Sequence, residues 1–483
     1  MPIKYILTLP LLLLWNTAAM ADELPDLGER SETIVSPKMD KQMGKDFMKE
    51  VRLSTNISND MIINNYVQKL GNKLVSSTNT RKKNFHFFVV EDSSFNAFAG
   101  PDAHVGVHSG TIIAANSESE LASVLAHEIA HVTQHHIERL IETAKQTQIA
   151  ATAGMIAAMI IGSTVGGKTS VNPNTGRTGS SQAGDLASGL AIASLGGAAQ
   201  HMINFTREHE IEADNIGMKI LYKSSFDPKA MASIFERMQR SQYDYAKDIP
   251  SFLLAHPVTT DRIAEAKNRA YQLQQKNIAP QETFNLIRAR TLVLTTNNRQ
   301  ALLKYPENSP AARYAKALEL HKNLQLPEAT KIVDGLQKDY PNEVLYQMLA
   351  AQLKTANKQD DEALSVLKTS LISHEDYYPL IILYAQTLIA TKHAQEACDF
   401  LRRKTRKYQD DPNIYRLLAR ACAQNHQLAE AYQAKAKAYA LEDYNHQAIF
   451  LLQQALKTPS LKTNDRIIIN ARIAQLKEVE KNS

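Results

Sequence analysis

The stretch ESELASVLAHEIAHVTQHHIERL, residues 118–140, decides how the rest of the chain is read. A Ser-x-x-Glu capping pattern, Ser117 to Glu120, marks a helix start near Ser117–Glu118. Within that helix His127 and His131 are four residues apart. They therefore share one face, about 6 Å apart along the axis, and both can turn a nitrogen to one metal ion at about 2.0–2.1 Å. Glu128, beside the first histidine, points towards the open coordination position, where it can take a proton from water. The same run without a metal is only a helix rich in alanine and leucine, so a third ligand is needed. His135 continues the helical face but lies about 12 Å from His127 along the axis, beyond the reach of the same ion. It and His136 read as packing, supporting or solvent-facing residues.

A catalytic zinc takes three protein ligands and one water. The best place for the third is TREHEIEADNIG, residues 206–217, a charged helical stretch that follows an apolar one. Glu208, Glu210, Glu212 and Asp214 are all candidates there, against the plainer reading of a solvated acidic face. Glu210 and Asp214 are four apart, so one carboxylate can reach the metal while the other accepts a hydrogen bond from the second nitrogen of a ligand histidine.

Upstream, FHFFVVED (85–92) and HVGVHSG (104–110) are β-branched and aromatic runs that read as strands of a small sheet. Met61, Ile62, Tyr66, Leu70 and Leu74 recur at helical spacing and predict a packing helix before them. Residues 149–162 and 186–199 are apolar but too short to span a bilayer, which needs about 20 residues. Between them, 162–185 is rich in Gly, Ser, Thr and Asn and reads as a mobile loop beside the site, a lid or a tolerated insertion.

The chain opens MPIKYILTLPLLLLWNTAAMA, with a lysine, an apolar core and the small-x-small pattern Ala19-Met20-Ala21. This predicts a leader over residues 1–21, cleavage before Asp22, and export. The whole chain is 44% hydrophobic and 22% charged, an ordinary globular composition. Its formal charge of +5, one less once Lys4 leaves with the leader, excludes a nucleic-acid footprint. The one basic run, RRKTRK (402–407), reads as a solvated helix face.

Beyond Pro257 the sequence is helix-forming throughout. Glu-Ala pairs stand at 328/329, 362/363, 396/397 and 430/431, each 34 residues from the last, and Pro306, Pro341 and Pro412 fall between the units. That is the tetratricopeptide period, and the predicted solenoid offers a groove for a peptide or partner protein. In this frame Cys398 and Cys422 lie on helices that pack together, where they are either joined in a disulfide or kept as two buried free thiols. The expected organisation is a leader (1–21), an α+β zincin-like metalloprotease domain with a small sheet (22–275) and an all-α tetratricopeptide-repeat solenoid (276–483), mainly α as a whole.

HEIAH followed by EIEAD, with NAFAG (96–100) ahead of the helix, resembles the HtpX-like zinc metallopeptidases, family 48 of the metallopeptidases, over roughly residues 60–270. The resemblance implies one Zn2+ per chain held by His127, His131 and Glu210, with Glu128 as catalytic base and Asp214 in the family's aspartate position. It also implies a role for His256 in LLAHPVTTDRI (253–263), either sitting in the water position and holding the enzyme latent or stabilising the oxyanion. Thr206 stands where the family usually has serine, and His135 where it often has arginine. Neither departure touches an implied ligand.

Leader, protease domain and repeats together resemble a periplasmic branch of the family in Gram-negative bacteria. Its implied clients are unfolded or misassembled outer-membrane proteins, including the lipopolysaccharide-transport barrel. Its implied partner is the β-barrel assembly complex, met through the repeats, and peripheral membrane association fits such a role. The competing expectation is a chaperone or adaptor that works through its repeats, with a protease domain normally shut.

Overall fold

The structure is a computed structural model that describes residues 35–78, 80, 84–146, 196–244, 256–273, 282–296, 305–459 and 461–481. The expected leader, the loop 162–185, the apolar segment 149–162 and most of 186–199 lie outside the described residues. Among the described residues, no helix is long and apolar enough to cross a membrane.

Helix α1 (Pro37–Ser54) starts at an N-cap, Ser36, with Pro37 in its first turn. In α2 (Met61–Val75) Asp60 caps the backbone amides of Ile62 and Ile63. Ile62, Ile63, Val67, Leu70 and Leu74 form its buried stripe, whereas Met61 and Tyr66 are only partly covered.

The sheet has one strand more than the periodicity suggested. β1 (His86–Val90) pairs in parallel with β3 (His104–His108), and β2 (Ala97–Gly100) pairs antiparallel with β3 from the other side, giving the order β1-β3-β2. The missed strand is the NAFAG segment, four residues long and too short to show alternation. Phe87 and Val89 face the main core, while Phe88, Val90 and Phe98 pack on Phe47, Met48 and Val51 of α1. With both faces covered, the strand FFVV is apolar without interruption.

A short helix, α3 (Ser109–Ala114), leads to α4 (Glu118–Thr133), which carries HEIAH and is buried nearly all round. Ser117 Oγ accepts from the Glu120 amide, and Glu120 Oε2 accepts from the amide of Asn116, one residue before the cap. The helix does not run on through His135, as the spacing suggested. α4 stops at Thr133, His135 turns left-handed (φ 56°), and α5 (His136–Gln146) starts in a new direction.

The acidic motif lies on α6 (Gly196–Lys223), which packs along α4. Their close approach depends on Gly217, where a Cβ would stand 3.2 Å from the Ala126 carbonyl and from His127 Cα. Next come α7 (Lys229–Asp244) and α8 (Thr260–Gln272), the latter capped by Thr259. α9 (Glu282–Thr295) carries Arg290, which joins Asp60 at 2.6 Å and Tyr314 at 3.0 Å.

The repeats are the helix pairs α10 (Pro310–Lys322) with α11 (Leu326–Asp339), α12 (Val344–Ala356) with α13 (Asp360–Ser373), α14 (Tyr378–Ala390) with α15 (Ala394–Lys404), and α16 (Pro412–Gln424) with α17 (Leu428–Leu441). A last pair, α18 (Asn445–Leu456) and α19 (Thr463–Lys481), follows. Each Glu-Ala pair opens the second helix of its unit, and Ala329, Ala363, Ala397 and Ala431 are buried where helices meet. The turns repeat as strictly, with left-handed residues at Leu324, Lys358, Lys392 and His426. Cys398 and Cys422 are bonded across α15 and α16, with Cα atoms 5.3 Å apart. Arg402 pairs with Asp399 and Glu430, and Lys407 with Asp376. The solenoid touches the half that carries HEIAH: Lys45 meets Asp443 at 2.6 Å, and Lys69 lies 4.8 Å over the Tyr377 ring.

Candidate active site

α4 presents His127 and His131, α6 presents Glu210, and the segment before α8 presents His256; one ligand atom from each falls within 4.8 Å of the others. His127 Nε2 lies 3.1 Å from His131 Nε2 and 3.4 Å from Glu210 Oε2, and His131 Nε2 lies 3.3 Å from Glu210 Oε1. His256 Nδ1 stands 2.7 Å from Glu210 Oε1 and 3.4 Å from His127 Nε2. Donors arranged tetrahedrally at about 2.0–2.1 Å from a centre are about 3.3–3.4 Å apart, so this set fits a metal ion.

Of the four candidate carboxylates, Glu210 alone joins the cluster. Asp214 Oδ1 stands 3.0 Å from His127 Nδ1, on the side of the ring away from the cluster. Glu212 turns to His136 and Arg139, at 3.2 and 2.8 Å, and Glu208 is exposed.

Glu128 is 1% exposed, and among the described residues neither of its oxygens takes a side-chain hydrogen bond. Burial pushes its carboxyl above the ordinary range. His256 Nε2 is 3.8 Å from Glu128 Oε1. Burial would lower His127, but Asp214 and Glu210 outweigh it and raise the group to about 10. Burial keeps His131 well below its ordinary value. Glu210 is driven up by burial, yet His256, His127 and His131 hold it well below the carboxylate range. Asp214 likewise ends low against its burial, through His127 and Arg262.

Arg262 escaped notice although it lies in LLAHPVTTDRI. It is buried, and it donates to Asp214 Oδ2 and Oδ1 at 2.7 and 2.8 Å and to the Pro257 carbonyl at 2.8 Å. Its Nη1 is also 2.9 Å from Glu210 Oε2, and its guanidinium rests on the Phe235 ring at 5.1 Å. One cation therefore holds two carboxylates and the backbone next to His256. The sequence signal was an arginine six residues after a histidine, which has no meaning until α8 folds back on α6. His136, read as packing, supporting or solvent-facing, and His209, not singled out, are both buried and stack with ring centres 4.1 Å apart.

The model of Peptidase family M48 matches residues 62–270, and a tetratricopeptide-repeat model matches 355–421. The Escherichia coli (strain K12) "Beta-barrel assembly-enhancing protease" is 32% identical over 96% of this chain and 93% of its own length. The protein of the same name in Shigella flexneri is equally similar, and that of Yersinia pestis is 29% identical over 95% of this chain and 92% of its own. The M48 match spans the helix pair that brings His127, His131 and Glu210 together. The chain is a metallopeptidase, and it belongs to the β-barrel assembly-enhancing proteases of family M48.

Proposed function

We propose that this chain is a periplasmic zinc endopeptidase acting in the assembly and quality control of outer-membrane β-barrel proteins, where it degrades misassembled forms, the lipopolysaccharide-transport barrel among its clients. The observation that carries the chemistry is a set of donors spaced for one tetrahedral ion beside a buried carboxylate, Glu128. The relatives' shared name supports the assembly role, and the repeats supply the surface that meets clients and the assembly complex.

His127, His131 and Glu210 would hold the ion. When bound, zinc polarises a peptide carbonyl and acidifies water to a pKa of about 7. Glu128, raised by its burial, takes the proton of the attacking water and returns it to the leaving amine nitrogen. The Asp214 carboxylate, 3.0 Å from His127 Nδ1, favours a proton on that nitrogen, which leaves the Nε2 lone pair for the cluster. Arg262 neutralises Asp214 and Glu210 together and anchors Pro257.

One observation favours a second reading, a chaperone with a shut protease. His256 Nδ1 stands as a fourth donor in the cluster, 2.7 Å from Glu210, where a water or a substrate carbonyl has to bind. The two readings combine in a latent enzyme whose His256 withdraws on engagement of a client.

The test is zinc content by elemental analysis beside casein cleavage, on the mature wild type, Glu128→Gln and Glu210→Ala. Zinc near one per chain, cleavage lost in Glu128→Gln and metal lost in Glu210→Ala are the expected results. A wild type without zinc overturns the proposal.

A further inference from the structure

His131 has a second nitrogen, and that nitrogen is not left to solvent. Its Nδ1 lies 2.8 Å from Nδ1 of His136. On the far side of the second ring, His136 Nε2 lies 3.2 Å from Glu212 Oε2, which also accepts from Arg139 Nη1 at 2.8 Å. Only one arrangement of protons satisfies this row when His131 Nε2 is a ligand. The carboxylate accepts, so His136 carries its proton on Nε2 and its Nδ1 is a bare acceptor. His131 must then carry its own proton on Nδ1, and Nε2 is left with a lone pair directed at the cluster.

We propose that His136 is a positioning residue which, backed by Glu212 and Arg139, fixes His131 in the tautomer and ring orientation that bind the metal. The inference rests on the metal-site reading of His131. It gives the two histidines of HEIAH different supports: His127 leans on a carboxylate directly, at 3.0 Å from Asp214, and His131 reaches its carboxylate through a second imidazole.

The break in the helix makes this contact. In a continuous helix, His136 would point about 140° away from His131 around the axis. The left-handed turn at His135 redirects the chain and brings the ring back onto the site. The flat stack of His209 on His136, tilted by 3°, holds that ring in plane.

The test uses the full mature chain and measures the zinc dissociation constant by competition with a chromophoric chelator, with the visible spectrum of the cobalt-substituted protein as a second readout. His136→Phe keeps the ring stack but accepts no hydrogen bond, and it should weaken metal binding by about 10–100-fold. His136→Asn places an oxygen acceptor near the position of Nδ1 and should recover most of that loss, with a cobalt spectrum close to wild type. Wild-type affinity in His136→Phe, or equal loss in the Phe and Asn variants, overturns the proposal. If His136→Phe does not fold, Glu212→Leu, which removes the acceptor at a half-buried position, decides: undiminished affinity there refutes the relay, and weakened affinity supports it. Wild-type protein and His131→Ala are the controls. A wild type that takes up no metal, or an His131→Ala protein that binds it undiminished, refutes the metal-site reading and the relay with it. Normal controls with an unaffected His136→Phe refute the relay alone.

Discussion

Replacing Arg262 by methionine removes one charge and leaves two carboxylates buried without it. Asp214 and Glu210 are 8% and 6% exposed, and Arg262 meets Asp214 through two nitrogens and Glu210 through a third contact. Taking one partner out of a buried ion pair costs about 3–5 kcal/mol, because the remaining charge has lost its compensation. Methionine keeps an apolar stem against Phe235, so the loss should be electrostatic rather than a cavity. Its pH dependence follows from the direction of the shifts. Both carboxyls sit below their ordinary values in the folded protein, so the stability they contribute is present above the unfolded values. Those lie at about 3.9 for Asp and 4.3 for Glu. That contribution is lost as pH falls through the folded values. Urea unfolding of chelator-treated protein, followed by far-ultraviolet circular dichroism, should show Arg262→Met less stable by about 3–5 kcal/mol at pH 7. The gap should narrow below about pH 4. A gap under about 1 kcal/mol at pH 7, the worth of an exposed pair, would refute the clamp. So would a deficit that stays constant into the acid range.

His256→Ala empties the fourth donor position and should raise casein cleavage several-fold with zinc content unchanged; unchanged or lower cleavage removes the latency reading. Leu324, Lys358, Lys392 and His426 are exposed residues in left-handed turns, and glycine at each should stabilise the repeats by about 0.5–1 kcal/mol in urea titrations. A glycine variant less stable than wild type would show that the side chain contributes more than its backbone strain costs. Reduction of Cys398–Cys422, which closes a span of 24 residues, should destabilise the repeats by about 3–4 kcal/mol, read as a lower urea midpoint in dithiothreitol; an unchanged midpoint counts against it.

The parts of the fold that were legible in the sequence are those that repeat or alternate. The 34-residue spacing of Glu-Ala pairs located the second helix of each unit, because a small residue must recur wherever helices cross closely. The strand 86–90 was legible because five β-branched or aromatic-flanked positions leave no helical reading. β2 was not, since Ala97–Gly100 owes its extended form to pairing with β3 and has no pattern of its own. The turn at His135 was hidden for a related reason: nothing in Gln-His-His announces a left-handed residue, and only tertiary contacts hold it there.

The site divides along the same line. His127, Glu128 and His131 are local in sequence, and a single helix suffices to relate them. Glu210 and Asp214 were two of four open carboxylates related by the i, i+4 rule, and the family resemblance, not the spacing, chose between them. Arg262 and His136 obey no such rule, because each acts across a contact that does not exist until three elements have packed: Arg262 between α6, α8 and the Pro257 backbone, His136 between α4, α5 and α6. The candidate ligands are therefore read from a local motif and a family resemblance, and their supports from charge balance. Two carboxylates as buried as Glu210 and Asp214 need positive charge beside them, and among the described residues Arg262 supplies a permanent one to both, 2.9 Å from Glu210 and 2.7 Å from Asp214, alongside His127. A buried acidic pair four residues apart on a helix beside HEIAH thus predicts an arginine elsewhere in the chain, and the residue to seek is one whose loss would damage the fold as much as the chemistry.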